Sequence, residues 1–116
     1  MKEFALIFRA TKGTDDKPSP EQIQERMNWL SSIAVQNKLA NNGVSLSHIS
    51  AKTVKADNIV TDGPYAEIKE FISGFIIVKT ETIEEAVELA KTNPIFKIGG
   101  NIEVRELLHL YDKNLI

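Results

Sequence analysis

No cysteine occurs in the 116 residues. Its absence removes disulfides, thiolate metal ligands and a cysteine nucleophile together, and it agrees with a reducing compartment. No apolar run approaches the ~20 residues of a membrane span, so no membrane partner is expected. A basic excess is missing as well: Lys+Arg total 14 against 16 Asp+Glu, for a formal charge of −2. Nucleic-acid binders usually carry a basic surplus or stripe, so nucleic acid is not an expected partner. Histidine is scarce, and neither His48 nor His109 has a carboxylate or second histidine at ligand spacing; no metal site is expected. Ser45, Ser47 and His48 lack a nucleophile-elbow motif, and Gly99-Gly100 leads into no helix. Neither a hydrolytic triad nor a phosphate cradle is expected. Repeats, low-complexity tracts and linkers are also absent.

What is present is ordinary for a soluble protein, with 42% apolar and 26% charged residues. The length suits one domain, 1–116, large enough for a real core and too small for two. Met1 to Phe8 contains an acidic residue and no small-residue cleavage site. It reads as a first strand and not as a secretory signal, so a cytoplasmic location is expected.

Phe4 to Phe8 is a continuous apolar run, which suits a strand buried on both faces. Thr11 to Ser19, with two aspartates, two lysines, Gly13 and Pro18, reads as a solvated loop. Ser19-Pro20-Glu21-Gln22 is a helix start: serine caps, proline fits the first turn, and glutamine completes a capping box. The helix should bury Ile23, Met27, Leu30, Ala34 and Ile33 and end at Asn41-Asn42-Gly43. Trp29 is expected in the core or a dimer contact, with Arg26 beside it on the helix surface. Val44 to Lys55 reads as an extended segment leading into a hairpin that turns at Ala56-Asp57-Asn58 and returns through Ile59-Val60-Thr61. Ser73 to Thr80 is the clearest strand, β-branched and apolar. Thr82-Ile83-Glu84-Glu85 opens a second helix through Lys91 with Ala86, Val87 and Ala90 inward, and Pro94 prevents its continuation. Ile102, Val104 and Leu107 mark a last strand running towards Tyr111.

This β-α-β-β-α-β order favours an α+β fold, a ferredoxin-like antiparallel sheet with two helices on one face. A sheet covered on one side leaves the other open. Phe4, Leu6, Phe75, Ile77, Ile102 and Val104 are candidates for that open face, and a second copy of the chain would cover it.

Between the hairpin and the Ser73 strand lies Asp62-Gly63-Pro64-Tyr65-Ala66-Glu67-Ile68-Lys69-Glu70. Glycine reaches φ > 0 and proline pins its own φ, so the backbone bends there. The run holds four ionisable groups of both signs, Asp62, Glu67, Lys69 and Glu70. In one reading they are solvated ion pairs worth ~0–1 kcal/mol each. In the other, Asp62 or Glu67 sits in a cleft as a tuned acid–base group, with Lys69 or Arg105 nearby. Arg105 shares a strand face with Glu103. It could clamp Asp62 or Glu67, or hold a ligand's carboxylate or phosphate. Arg26, Trp29, Tyr65, Lys69, Glu70 and Arg105 are the candidate ligand-binding residues.

The bend resembles the signature of the YCII-related family, in its Asp-Gly-Pro-Phe branch. Asp62, Gly63, Pro64, Tyr65, Glu67, Lys69, Glu70, Gly74 and Phe75 follow that pattern in order, with tyrosine where phenylalanine is usual. Glu84-Glu85-Ala86, Ala90, Pro94 and the close Gly100-Asn101-Ile102-Glu103-Val104-Arg105 extend the likeness over nearly the whole chain. The resemblance implies a ferredoxin-like fold of the dimeric α+β barrel type, with a cleft near the bend. The family's better-described members pair a first-helix histidine with an aspartate as an acid–base dyad. Arg26 stands in that histidine's place, so the dyad is missing and catalysis is not carried over.

Three functions compete. The first is a homodimeric domain binding a small polar metabolite in that cleft, with Asp62 or Glu67 as acid–base group if turnover occurs. The second is a non-enzymatic dimeric interaction or regulatory module. The third is a cofactor-free oxygenase, supported by architecture alone. No metal, haem or flavin motif is visible, and no cofactor is expected.

Overall fold

A computed structural model of the chain describes residues 1–11, 18–63 and 70–109, with only the backbone described at Thr11 and Glu70. The strands are β1 (Lys2–Thr11), β2 (Leu39–Ser45), β3 (Lys52–Val54), β4 (Val60–Asp62), β5 (Glu70–Thr80) and β6 (Asn101–Glu106). Two α-helices, α1 (Pro20–Ala34) and α2 (Ile83–Ala90), lie among the described residues.

Four strands form one antiparallel sheet in the order β2-β5-β1-β6, and β3 and β4 form a separate hairpin. Both helices pack on one face: Trp29 and Ile33 from α1 and Ala86 and Ala90 from α2 share a core with Phe4, Leu6, Ile76 and Val78. This is the ferredoxin-like α+β arrangement that the sequence pattern predicts. Thr80 is fully buried, and its hydroxyl donates to the Thr82 carbonyl at 2.7 Å, so its burial costs little.

The first helix starts as the sequence indicates. The Ser19 hydroxyl accepts from Gln22 N at 3.2 Å, and the Gln22 side chain accepts from Ser19 N at 2.7 Å. At the second helix the Thr82 hydroxyl accepts from Glu85 N, while the Glu85 carboxylate turns to Glu81 N instead.

Several expectations are corrected. The first helix stops at Ala34, and Asn41-Asn42-Gly43 lie inside β2. The stop comes from Asn37, at φ 58, with Lys38 N bonding Ile33 O at 3.3 Å and Asn37 N bonding Ala34 O at 2.9 Å. That paired closure around a left-handed residue satisfies the last carbonyls before the later turn residues are reached. The helix is also rotated from the expected face. Trp29 and Ile33 are buried, while Ile23 (45% exposed) and Met27 (57%) face outward. The indole covers more area than either displaced side chain, so burying it outweighs the Ile23–Met27 stripe.

The first strand is buried on one face only, because both helices lie on the same side. Phe4 and Leu6 point into the core, with Ile102 and Val104 packed against it. Of the six residues expected on the open face, Phe75 and Ile77 are there; register places Ile7 and Ala5 opposite them. The last sheet strand before the second helix begins at Glu70, three residues before the expected start, because Glu70 already pairs with Thr11. The expected loop over 11–19 and the run to Tyr111 fall largely outside the described residues.

Candidate ligand-binding cleft

Where the middle of α1 meets the sheet, a cleft of about 520 Å³ opens. Arg26, Trp29 and Leu30 form its helical wall, Phe8 and Ala10 of β1 with Phe71 and residues 73–76 of β5 its floor. Asn42 to Ser45 of β2, with Leu46 and His48 beyond, form a side; Asn93, Ile95 and Ile98, from the short 3-10 segment after α2, close the end.

Local chemistry explains this shape. Gly43 sits at φ 67, and a Cβ there would fall 1.6 Å from the Phe75 carbonyl oxygen. Only glycine lets β2 approach β5 so closely. The ladder shifts register twice, between Leu39 and Asn41 and between Asn41 and Val44, which turns the edge strand around the cleft. Leu46 N bonds Ser73 O at 2.8 Å and carries the pairing past Ser45. The Ser47 hydroxyl then accepts from Ile49 N and Ser50 N, a local turn that sets His48 against Phe71. The two rings lie 5.0 Å apart between centroids with 33° between their planes.

Trp29 belongs to core and cleft together. Its Nε1 donates to the Leu89 carbonyl at 3.0 Å, and Phe8 meets its ring edge-on at 6.0 Å. With this anchor, α1 cannot slide along the sheet without breaking a tertiary hydrogen bond.

The other candidates are dispersed. Asp62 ends the β3–β4 hairpin with its side chain 92% exposed, paired to Lys52 Nζ at 2.5 Å. Neither Asp62 nor Gly63 lines the cleft. Gly63, at φ 86, does bend as glycine chemistry predicts, and its N–H bonds the Ala51 carbonyl at 2.7 Å. Arg105 lies on the sheet face away from the helices and reaches Glu103 Oε2 at 3.4 Å, so it clamps neither Asp62 nor the cleft. Tyr65, Glu67 and Lys69 lie outside the described residues, as does the side chain of Glu70. His109 is exposed and lies 3.0 Å from Glu3 Oε1, a carboxylate far away in the sequence. Sequence reasoning missed His48, Ser73 and Asn93 as cleft residues. No local signal marks them, since three separate chain segments bring them together.

A second hollow, about 590 Å³, lies at the strand ends around Lys2, Glu3, Lys79 and His109. Two of its polar groups, Glu3 and His109, engage each other. Among the described residues, no three carboxylate or imidazole groups gather where they could hold a metal ion, and no helix is long and apolar enough to cross a membrane.

A four-stranded antiparallel sheet roofed on one face, with a cleft under its first helix, defines a ferredoxin-like α+β domain. The family model of the YCII-related domain matches residues 7–110, and the chain belongs to that family. No curated protein matches the chain.

Proposed function

We propose that this chain is a homodimeric YCII-related domain that binds a small metabolite through the α1 cleft, the ligand's polar group being held at the cleft's polar side. The finer placement in the Asp-Gly-Pro-Phe branch rests on Asp62-Gly63-Pro64-Tyr65 and the charges after it. The observation that carries the binding reading is the cleft itself. Its roughly 520 Å³ falls within the ~300–1,000 Å³ of small-molecule sites, and it sets a few polar groups among aromatic and aliphatic walls.

The reading is of binding and not of turnover. Asp62 is exposed and engaged by Lys52, which suits a hairpin ion pair better than an acid–base group. That same observation favours the second reading, a non-enzymatic module in which the bend charges are architecture.

The homodimer rests on the open sheet face. Ala5, Ile7, Phe75 and Ile77 form an apolar centre there, with Glu3, Lys79, Arg9 and Glu103 around it. A second copy would cover it with a matching surface. Sedimentation of the wild type should show a dimer, and Ile77→Lys should release monomer; a wild-type monomer sinks this part.

For the cleft, a thermal-shift screen against metabolites is the test, because a ligand of the folded state raises the melting temperature by mass action. Hits should lose their shift in Ala10→Leu, which narrows the cleft, and keep it in Arg105→Ala, which lies outside. A shift lost only in Arg105→Ala would move the site to the open face.

A further inference from the structure

The described residues lining the cleft carry a charge imbalance opposite in sign to that of the whole chain. Among the described residues lining it, Arg26 is the one permanently charged side chain, and no aspartate or glutamate is present. The chain overall carries −2. The Arg26 guanidinium makes no hydrogen bond or ion pair with any described residue. Its neighbour Glu25 is engaged elsewhere, by Lys97 Nζ at 2.8 Å.

Asn93 adds a neutral donor. Its Oδ1 accepts from Ile95 N at 2.7 Å, which assigns the amide orientation and leaves its NH2 group without a partner among the described residues. The side chain of Asn93 lines the same cleft. Beside these donors the large surfaces of the cleft are apolar, from Trp29, Phe71, Phe8 and Leu30. A polyhydroxylated ligand would leave hydroxyls without partners against that carbon. A cation would meet Arg26 with no acid among the described lining residues to offset it.

We propose that the occupant is a planar, mostly apolar monoanion of the aromatic carboxylate class. Its ring lies between Trp29 and Phe71, and its carboxylate faces Arg26 and the Asn93 amide. Guanidinium suits this role because its planar fork matches a carboxylate's two oxygens, and its weak hydration tolerates an apolar surround. The inference rests on the cleft being a binding site and narrows what that site takes. It also separates Arg26 from catalysis: the group is a permanent cation and moves no proton near neutral pH.

Three probes of one ring system and different charge test it: 2-naphthoate, 2-naphthamide and 2-naphthylmethylamine. Titration calorimetry gives their affinities, and the single tryptophan gives one indole N–H resonance that reports on the cleft wall. The carboxylate should bind about tenfold or more tighter than the amide, the margin expected of a charge-assisted hydrogen bond, and should shift that resonance. Arg26→Gln should erase the margin by weakening the carboxylate far more than the amide, and Arg26→Glu should turn the preference towards the amine. Both substitutions are on an exposed helix position, and unaltered melting temperatures confirm folding. If amide and carboxylate bind equally and both move the Trp29 resonance, the anion assignment is overturned while the cleft remains a binding site. If no probe moves that resonance in the folded wild type, the binding reading fails together with it.

Discussion

Arg9 and Glu103 meet across the open face of the sheet, with Arg9 Nη2 2.6 Å from Glu103 Oε1. The pair is partly buried, at 26% and 37% side-chain exposure, and Arg9 Nε is buried with no hydrogen-bond partner among the described residues. Glu103 also receives Arg105 at 3.4 Å, so one carboxylate serves two guanidinium groups. Removing it strands a half-buried cation. Glu103→Ala is therefore expected to lower unfolding free energy by about 1–3 kcal/mol, while Arg105→Ala costs under ~0.5 kcal/mol. Urea denaturation of the two variants at matched protein concentration checks this order.

Gly43 and Gly99 both take positive φ, at 67 and 79, but only Gly43 is crowded. Gly43→Ala must push β2 off the Phe75 carbonyl, and should cost more than ~3 kcal/mol or abolish folding. Gly99→Ala meets nothing within 4 Å and carries backbone strain alone, about 1–2 kcal/mol. Equal losses in the two variants would mean that β2 does not approach β5 as described.

Trp29 ties α1 to the end of α2 through Leu89 and packs edge-on to Phe8. Trp29→Ala should lose about 3–5 kcal/mol, and Trp29→Phe distinctly less, since one aromatic ring is kept while the hydrogen bond and the indole's extra volume go. In hydrogen exchange the indole N–H should be protected in the native protein. Free exchange at Trp29 would contradict the bond to Leu89.

Asp62→Asn breaks an ion pair whose partners are 67% and 92% exposed. Stability should change by under ~1 kcal/mol, and the change should shrink further in high salt. Affinity for any cleft ligand should stay as in wild type, because Asp62 does not line the cleft. Loss of binding in this variant would restore the bend to the site.

Local signals in the sequence were legible wherever the chain satisfies its own backbone. Ser19 with Gln22 and Thr82 with Glu85 mark helix starts because the caps are made within four residues. Asp57 and Asn58, both at φ 63, mark the hairpin turn because their side chains tolerate that backbone. The end of α1 was misplaced for a related reason. Asn37 and the Asn41-Asn42-Gly43 run carry the same kind of signal, and strand pairing to β5 assigned the second to the sheet.

The candidate site was only half legible. Arg26 and Trp29 share a helix face by spacing alone, and both reach the cleft. Asp62 and Arg105 share no element with them; they end on the hairpin and on the far face of the sheet.

What the sequence determined by itself is the element order, the capped helix starts, the bends at Ala56–Asn58 and Gly63, and from these the α+β class. Each depends on contacts a few residues apart, which the chain makes wherever it folds. The tertiary structure alone decided which stripe of α1 is buried, which side of the sheet stays open, and that Arg26, His48, Phe71 and Asn93 line one cleft. Those outcomes depend on how four segments far apart in the chain pack against one another, where side-chain volume and strand register outweigh any local pattern.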